Sequence, residues 1–176
     1  GNDVDVFILS DNSTLDDIAG LLSGRSKINA LHLITHGSQG ALQIGNEYYD
    51  ETNIADSAVA LEKIGSTLSE DGDILLYGCN IAATGEGQSF VEQFALLTSA
   101  DVAASIDATG NVILGGDWDL EHQSGLIETD EIDAAEFRGL LSPAPVLSTS
   151  GGFLSGGGGN AFTTANFPTI NEDTPG

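Results

Sequence analysis

Ala30-Leu31-His32-Leu33-Ile34-Thr35-His36-Gly37 and Asp73-Ile74-Leu75-Leu76-Tyr77-Gly78-Cys79 decide how this chain folds. Each is a short apolar run that ends at a residue able to do chemistry. Continuous apolar runs of this length suit strands of a parallel sheet, buried on both faces. Placed side by side, they deliver His36 and Cys79 to one edge, the carboxyl ends of the strands, where such sheets bind ligands. A base beside the only cysteine is the minimum apparatus for cysteine-nucleophile catalysis. The two side chains are expected to share a notch that solvent can reach.

Working outward, Val4-Asp5-Val6-Phe7-Ile8-Leu9 reads as a first strand. Ser13 or Thr14 caps a helix with Asp16 and Asp17 in its first turn, an apolar stripe of Leu15, Ile18, Leu21 and Leu22, and Gly24 at its end. Residues 41–44 and 47–49 around Gly45-Asn46 form a hairpin, and Thr52 or Asn53 opens a second helix. Asp71-Gly72 is a turn before the strand at 73–77. A third helix covers 86–99 and a fourth strand 101–106. Gly110-Asn111 turns into an extended Val112-Ile113-Leu114, with Trp118-Asp119-Leu120 as its partner. Strands alternating with helices imply βαβ units. The expected fold is a three-layer α/β/α sandwich with a mostly parallel central sheet.

From Ser142 the composition shifts to Pro, Gly and Ser, with Gly156-Gly157-Gly158-Gly159 at its centre. Residues 1–141 are therefore read as one domain. Residues 142–176 are read as a linker to a following module absent from this chain, with Phe153, Leu154, Phe162 and Phe167 interspersed. The chain contains no methionine, so it reads as a piece of a longer protein.

Four Lys and Arg against 27 Asp and Glu give a formal charge of -23. Such a surface repels phosphate backbones and anionic membranes, which argues against a nucleic-acid partner. The acidity also suits plain solubility in a salty or extracellular setting. One cysteine rules out an internal disulfide scaffold, and no apolar run reaches the length of a membrane span.

Cys79 follows a strand and a glycine, and the N–H groups of Gly37 and Cys79 are placed to stabilise an oxyanion. His36 would take the thiol proton and return it to the leaving amine. The alternative is that Cys79 fills core and His36 is a turn residue. His32, His36 and Cys79 can be drawn as three zinc ligands, but no C-x-x-C or H-E-x-x-H pattern backs a metal. No cofactor is required; the acids at 117–121 and 171–173 suit weak Ca²⁺ binding. Arg138-Gly139, just before the tail, is a candidate cut site, and the domain is expected to cleave its own or a neighbouring chain there. The alternative is a closing helix or strand through Ile132, Ala135 and Phe137, with Arg138 as its solvated end.

Strand-His-Gly followed by strand-Gly-Cys resembles the caspase-like (clan CD) cysteine peptidases. Residues 4–141 more closely resemble DUF4347, an uncharacterised domain of large bacterial adhesin-like surface proteins. The resemblance rests on Leu33-Ile34-Thr35-His36-Gly37-Ser38, Gly72–Asn80, Asp101-Val102-Ala103-Ala104-Ser105 and Gly115-Gly116-Asp117-Trp118-Asp119-Leu120. It implies a cysteine endopeptidase with His36 and Cys79 as its dyad, extracellular or on the cell surface. It also implies a polypeptide substrate and following cadherin-like or other repeat modules. By analogy with basic-specific relatives, Asp107 falls where an acid lines the S1 pocket, and Trp118 is a second lining candidate. Against this, Asp107 can simply cap a turn and Trp118 can belong to the core. The other reading of the whole is a catalytically silent binding or structural module serving adhesion, retention or export.

Overall fold

The computed structural model describes residues 4–132 and 134–142. The chain divides into a compact unit over Leu9–Pro143 and a second unit of Gly1–Ile8 with Ala144–Gly176, of which only residues 4–8 are described. The glycine-rich stretch and the acids at 171–173 lie outside the described residues.

A four-stranded sheet organises the larger unit. Its strands are β1 (Ile28–Ile34), β5 (Leu68–Tyr77), β6 (Asp101–Ala104) and β7 (His122–Ser124), in the spatial order β1-β5-β6-β7. The first two pairings are parallel and the last antiparallel. The two apolar runs are therefore neighbours, in the register Ile34↔Tyr77. A smaller antiparallel sheet holds β2 (Gly37–Ser38), β3 (Ala41–Ile44) and β4 (Glu47–Asp50), with the expected hairpin turn at Gly45-Asn46. The helices are α1 (Leu15–Leu21), α2 (Ala58–Gly65) and α3 (Gly85–Thr98).

Local chemistry explains the helix starts. The Asp17 carboxylate accepts the N–H and hydroxyl of Thr14 at the head of α1. Thr84 accepts the N–H of Gly87 at the head of α3. Side chains alternate across the sheet as the strand period requires. Ile74, Leu76, Val102 and Ala104 face one way, into a core shared with Ile18, Leu61, Ile64, Phe90 and Phe94 from the three helices. Burial of an aromatic such as Phe94 contributes about 1.5–3 kcal/mol. Leu75, Tyr77 and Ala103 face the other way, against Trp118, Leu120 and Leu141.

The second face departs from the expected sandwich. No helix contributes to it among the described residues; irregular chain between Trp118 and Leu141 covers it instead. Other expectations also change. Residues 4–10 form no strand, and Val4, Val6 and Ile8 are exposed: alternation supplies propensity, which context overrides. Asp71-Gly72 is not a turn before the strand, because β5 runs through it. The register with β1 nevertheless jumps from Ile28↔Leu68 to Ala30↔Asp73, so regular pairing does resume at Asp73. Val112–Leu114 is a short 3₁₀ helix with exposed side chains, held by Asn111, whose side chain accepts the N–H of Ile113. An isolated bridge, Thr109↔Asp117, replaces the expected pairing of that stretch with Trp118–Leu120. Residues 134–139 form neither helix nor strand.

Candidate active site

His36 and Cys79 leave adjacent parallel strands at the same sheet edge. The Thr35 N–H donates to Tyr77 O, which extends the β1–β5 ladder up to the two residues. His36 is then fixed between sheets: its carbonyl accepts the N–H of Gln43, and the Thr35 hydroxyl donates to Gln43 O. Beyond Cys79 the chain makes an elbow. Asn80 adopts a left-handed φ of 60°, and its N–H donates to Asp107 O at 2.6 Å. Gly37 lies against this elbow. A Cβ there would sit 2.7 Å from the Gly78 carbonyl carbon and 2.9 Å from Cys79 O, so the approach of the two backbones requires glycine.

That approach brings the N–H groups of Gly37 and Cys79 together on one oxygen. Both donate to the carbonyl of Leu141, at 2.9 and 3.2 Å. Residues 139–141 reach this point running antiparallel to 109–111, paired through one isolated bridge. Leu141 N–H donates to Thr109 O (2.9 Å), Asn111 N–H donates to Gly139 O (2.8 Å), and Gly110 bridges Leu140. The Asn111 side-chain amide also donates to Phe137 O. The Leu141 side chain is 5% exposed and joins the buried cluster of Cys79, Leu75, Tyr77, Trp118 and Leu120.

The sulfur is not in an open notch, which corrects the sequence expectation. Cys79 is 0% exposed, and its thiol donates to Thr109 O at 3.5 Å. Burial pushes the thiol pKa up, and hydrogen bonds with Thr109 and Leu141 only partly oppose it. His36 is half-buried, and its Nδ1 is buried without a partner. No hydrogen bond joins His36 to Cys79.

The remaining candidates separate. Trp118 belongs to the same cluster as Cys79 and Leu141, with its ring 5.6 Å from that of Phe137. Asp107 is exposed, within 4.8 Å of Asp117 and Glu121; partial desolvation, then those two charges, push its pKa up. Arg138 is exposed and forms no ion pair among the described residues, while Gly139 is buried, its carbonyl accepting the N–H of Asn111. His32 is stacked on Tyr77, with Nδ1 3.4 Å from the phenol oxygen, and does not converge with His36 and Cys79 on a metal position. Leu141, Thr109 and Asn111 were not singled out from sequence. Their part is played by backbone groups, and the only written signal is that Leu140-Leu141 closes the apolar pattern before Ser142.

Among the described residues no helix is long and apolar enough to cross a membrane. The family described as "Domain of unknown function (DUF4347)" matches residues 1–141. No curated protein and no solved structure matches the chain.

Proposed function

The chain belongs to the DUF4347 family, and from that premise we propose that it is a caspase-like cysteine endopeptidase domain that processes its own chain. The parent would be a large secreted or surface bacterial protein. One observation carries the reading: a carbonyl of the chain's own backbone, that of Leu141, accepts the N–H of Cys79 and the N–H of Gly37 together. Paired backbone donors on one carbonyl oxygen, one of them belonging to a cysteine, are the arrangement that stabilises an acyl-transfer intermediate. The antiparallel pairing of 139–141 with 109–111 uses the backbone hydrogen bonds by which an extended substrate is bound.

The reaction follows from these positions. Cys79 Sγ attacks the Leu141 carbonyl carbon as its proton passes to His36. The negative charge on the oxygen is held by the two N–H groups. Collapse breaks the Leu141–Ser142 C–N bond, and His36 returns the proton to the Ser142 amine. Water then hydrolyses the thioester, leaving a Leu141 carboxylate and a free Cys79. The apolar cluster with Trp118 supports a leucine at the position before the cut.

The second reading, a silent module serving adhesion, retention or export, draws on the full burial of the thiol and its raised pKa. Intact mass analysis separates the two. The purified chain is incubated with reductant, with and without Ca²⁺, alongside Cys79→Ala. Self-processing yields fragments meeting at Leu141/Ser142, absent from the variant. A new amino terminus at Gly139 would move the cut to Arg138, and a folded wild-type chain that stays whole throughout supports the silent module.

A further inference from the structure

A second acidic constellation lies away from the thiol, toward the amino-terminal ends of β5 and β6. Asp73 and Asp101 are direct partners across these two strands. Like charges set opposite each other destabilise a sheet. The loop after β7 folds back over the pair. Leu126 N–H donates to Asp101 Oδ2 at 3.2 Å, and Glu128 and Thr129 N–H donate to Asp73 Oδ2 at 3.1 and 2.9 Å. The loop lies so close that a Cβ on Gly125 (φ 107°) would fall 1.8 Å from Asp101 Oδ1. It brings the Glu128 carboxylate to the aspartates, with ligand oxygens of all three residues within 4.8 Å of one another.

Asp73 is 0% exposed, and its Oδ1 has no hydrogen-bond partner. A buried carboxylate oxygen left unpaired is costly and calls for an explanation. The partners that these hydrogen bonds give Asp73 and Asp101 are backbone N–H groups, which carry no net positive charge.

We propose that Asp73, Asp101 and Glu128 bind a divalent cation, Ca²⁺, which ties the 125–129 loop to the sheet. Donors that are all carboxylate select a hard cation over zinc. The spacing is about what two oxygens span across one Ca²⁺ with bonds of roughly 2.3–2.6 Å. Its flexible coordination shell accepts water on the exposed Glu128 side. The other acidic group, Asp107, Asp117 and Glu121, has no fully buried member and contains no orphaned buried oxygen.

Calorimetric titration of CaCl₂ into the metal-stripped full chain in 0.1 M KCl tests this. The expected result is one site with Kd on the order of 10⁻⁴ M and a matching rise in Tm. Asp101→Asn/Glu128→Gln should weaken binding at least tenfold, with far-UV circular dichroism confirming the fold. Asp117→Asn/Glu121→Gln removes the same charge and should leave affinity unchanged, which controls for diffuse attraction to an acidic surface. Wild-type affinity retained in Asp101→Asn/Glu128→Gln, or no saturable Ca²⁺ binding, would overturn the site. MgCl₂ binding as tightly would overturn the choice of ion.

Discussion

Replacing Leu141 by alanine probes the cover over the sulfur directly. The Leu141 side chain is 5% exposed and shares its cluster with Cys79, while its N–H and C=O are held by backbone bonds that alanine also makes. The substitution therefore removes apolar contact and leaves the ladder intact. A buried Leu→Ala change costs about 2–5 kcal/mol, and the irregular chain around this site can relax, which places it near the lower end. If residues 139–141 peel away before the thiol reacts, a loss of about 2 kcal/mol raises the open population roughly 30-fold, at about 1.4 kcal/mol per tenfold. Iodoacetamide labelling of the intact folded chain at fixed pH, followed by mass, reads this population. Arg138→Ala, altering an exposed residue three positions earlier, should leave the rate unchanged. A folded Leu141→Ala chain that labels within threefold of wild type would refute the claim that Leu141 covers the sulfur.

Gly37→Ala puts a methyl against Gly78 and Cys79 backbone atoms that cannot swing aside, and against the Ile81 side chain at 2.8 Å. It should cost about 1–3 kcal/mol in urea unfolding through overpacking. By displacing one oxyanion donor it should also slow self-processing at least ~100-fold, read by intact mass. For His32, burial lowers the pKa despite the opposing charge of Asp73. The folded state therefore prefers the neutral ring, and the stability this provides is present above the unfolded pKa of about 6.5 and lost as pH falls below it. Urea midpoints measured from pH 8 to pH 5 should fall more steeply for wild type than for His32→Gln; parallel curves would contradict the assignment.

The parts of the fold written as runs were legible. The strands at β1, β5 and β6 and the stripes of α1 and α3 follow from side-chain period alone, and the paired ends at His36 and Cys79 follow from them. What stayed hidden depends on pairing between distant segments. Val4–Leu9 has strand composition, yet forms no strand. Val112-Ile113-Leu114 has strand composition too, yet Asn111 bonds it into a 3₁₀ turn. The second helical layer was inferred from alternation, whereas irregular chain covers that face. Arg138 stands out in sequence as a rare basic side chain, whereas a carbonyl has no signature there, so the seating of Leu141 O on the N–H groups of Gly37 and Cys79 is visible only in the fold. Likewise Asp73, Asp101 and Glu128 are three acids among 27 until strand register and one loop bring them together.

The tethering of 139–141 has a consequence for any foreign peptide. A segment joined to its groove competes at an effective concentration of roughly millimolar or above. A diffusing polypeptide at micromolar levels is outnumbered locally about a thousandfold, whether or not the bond after Leu141 has been cut. On the proposed peptidase reading, the domain would therefore meet its own backbone first, with kinetics indifferent to dilution, and would turn to strangers only once that strap had been pulled free.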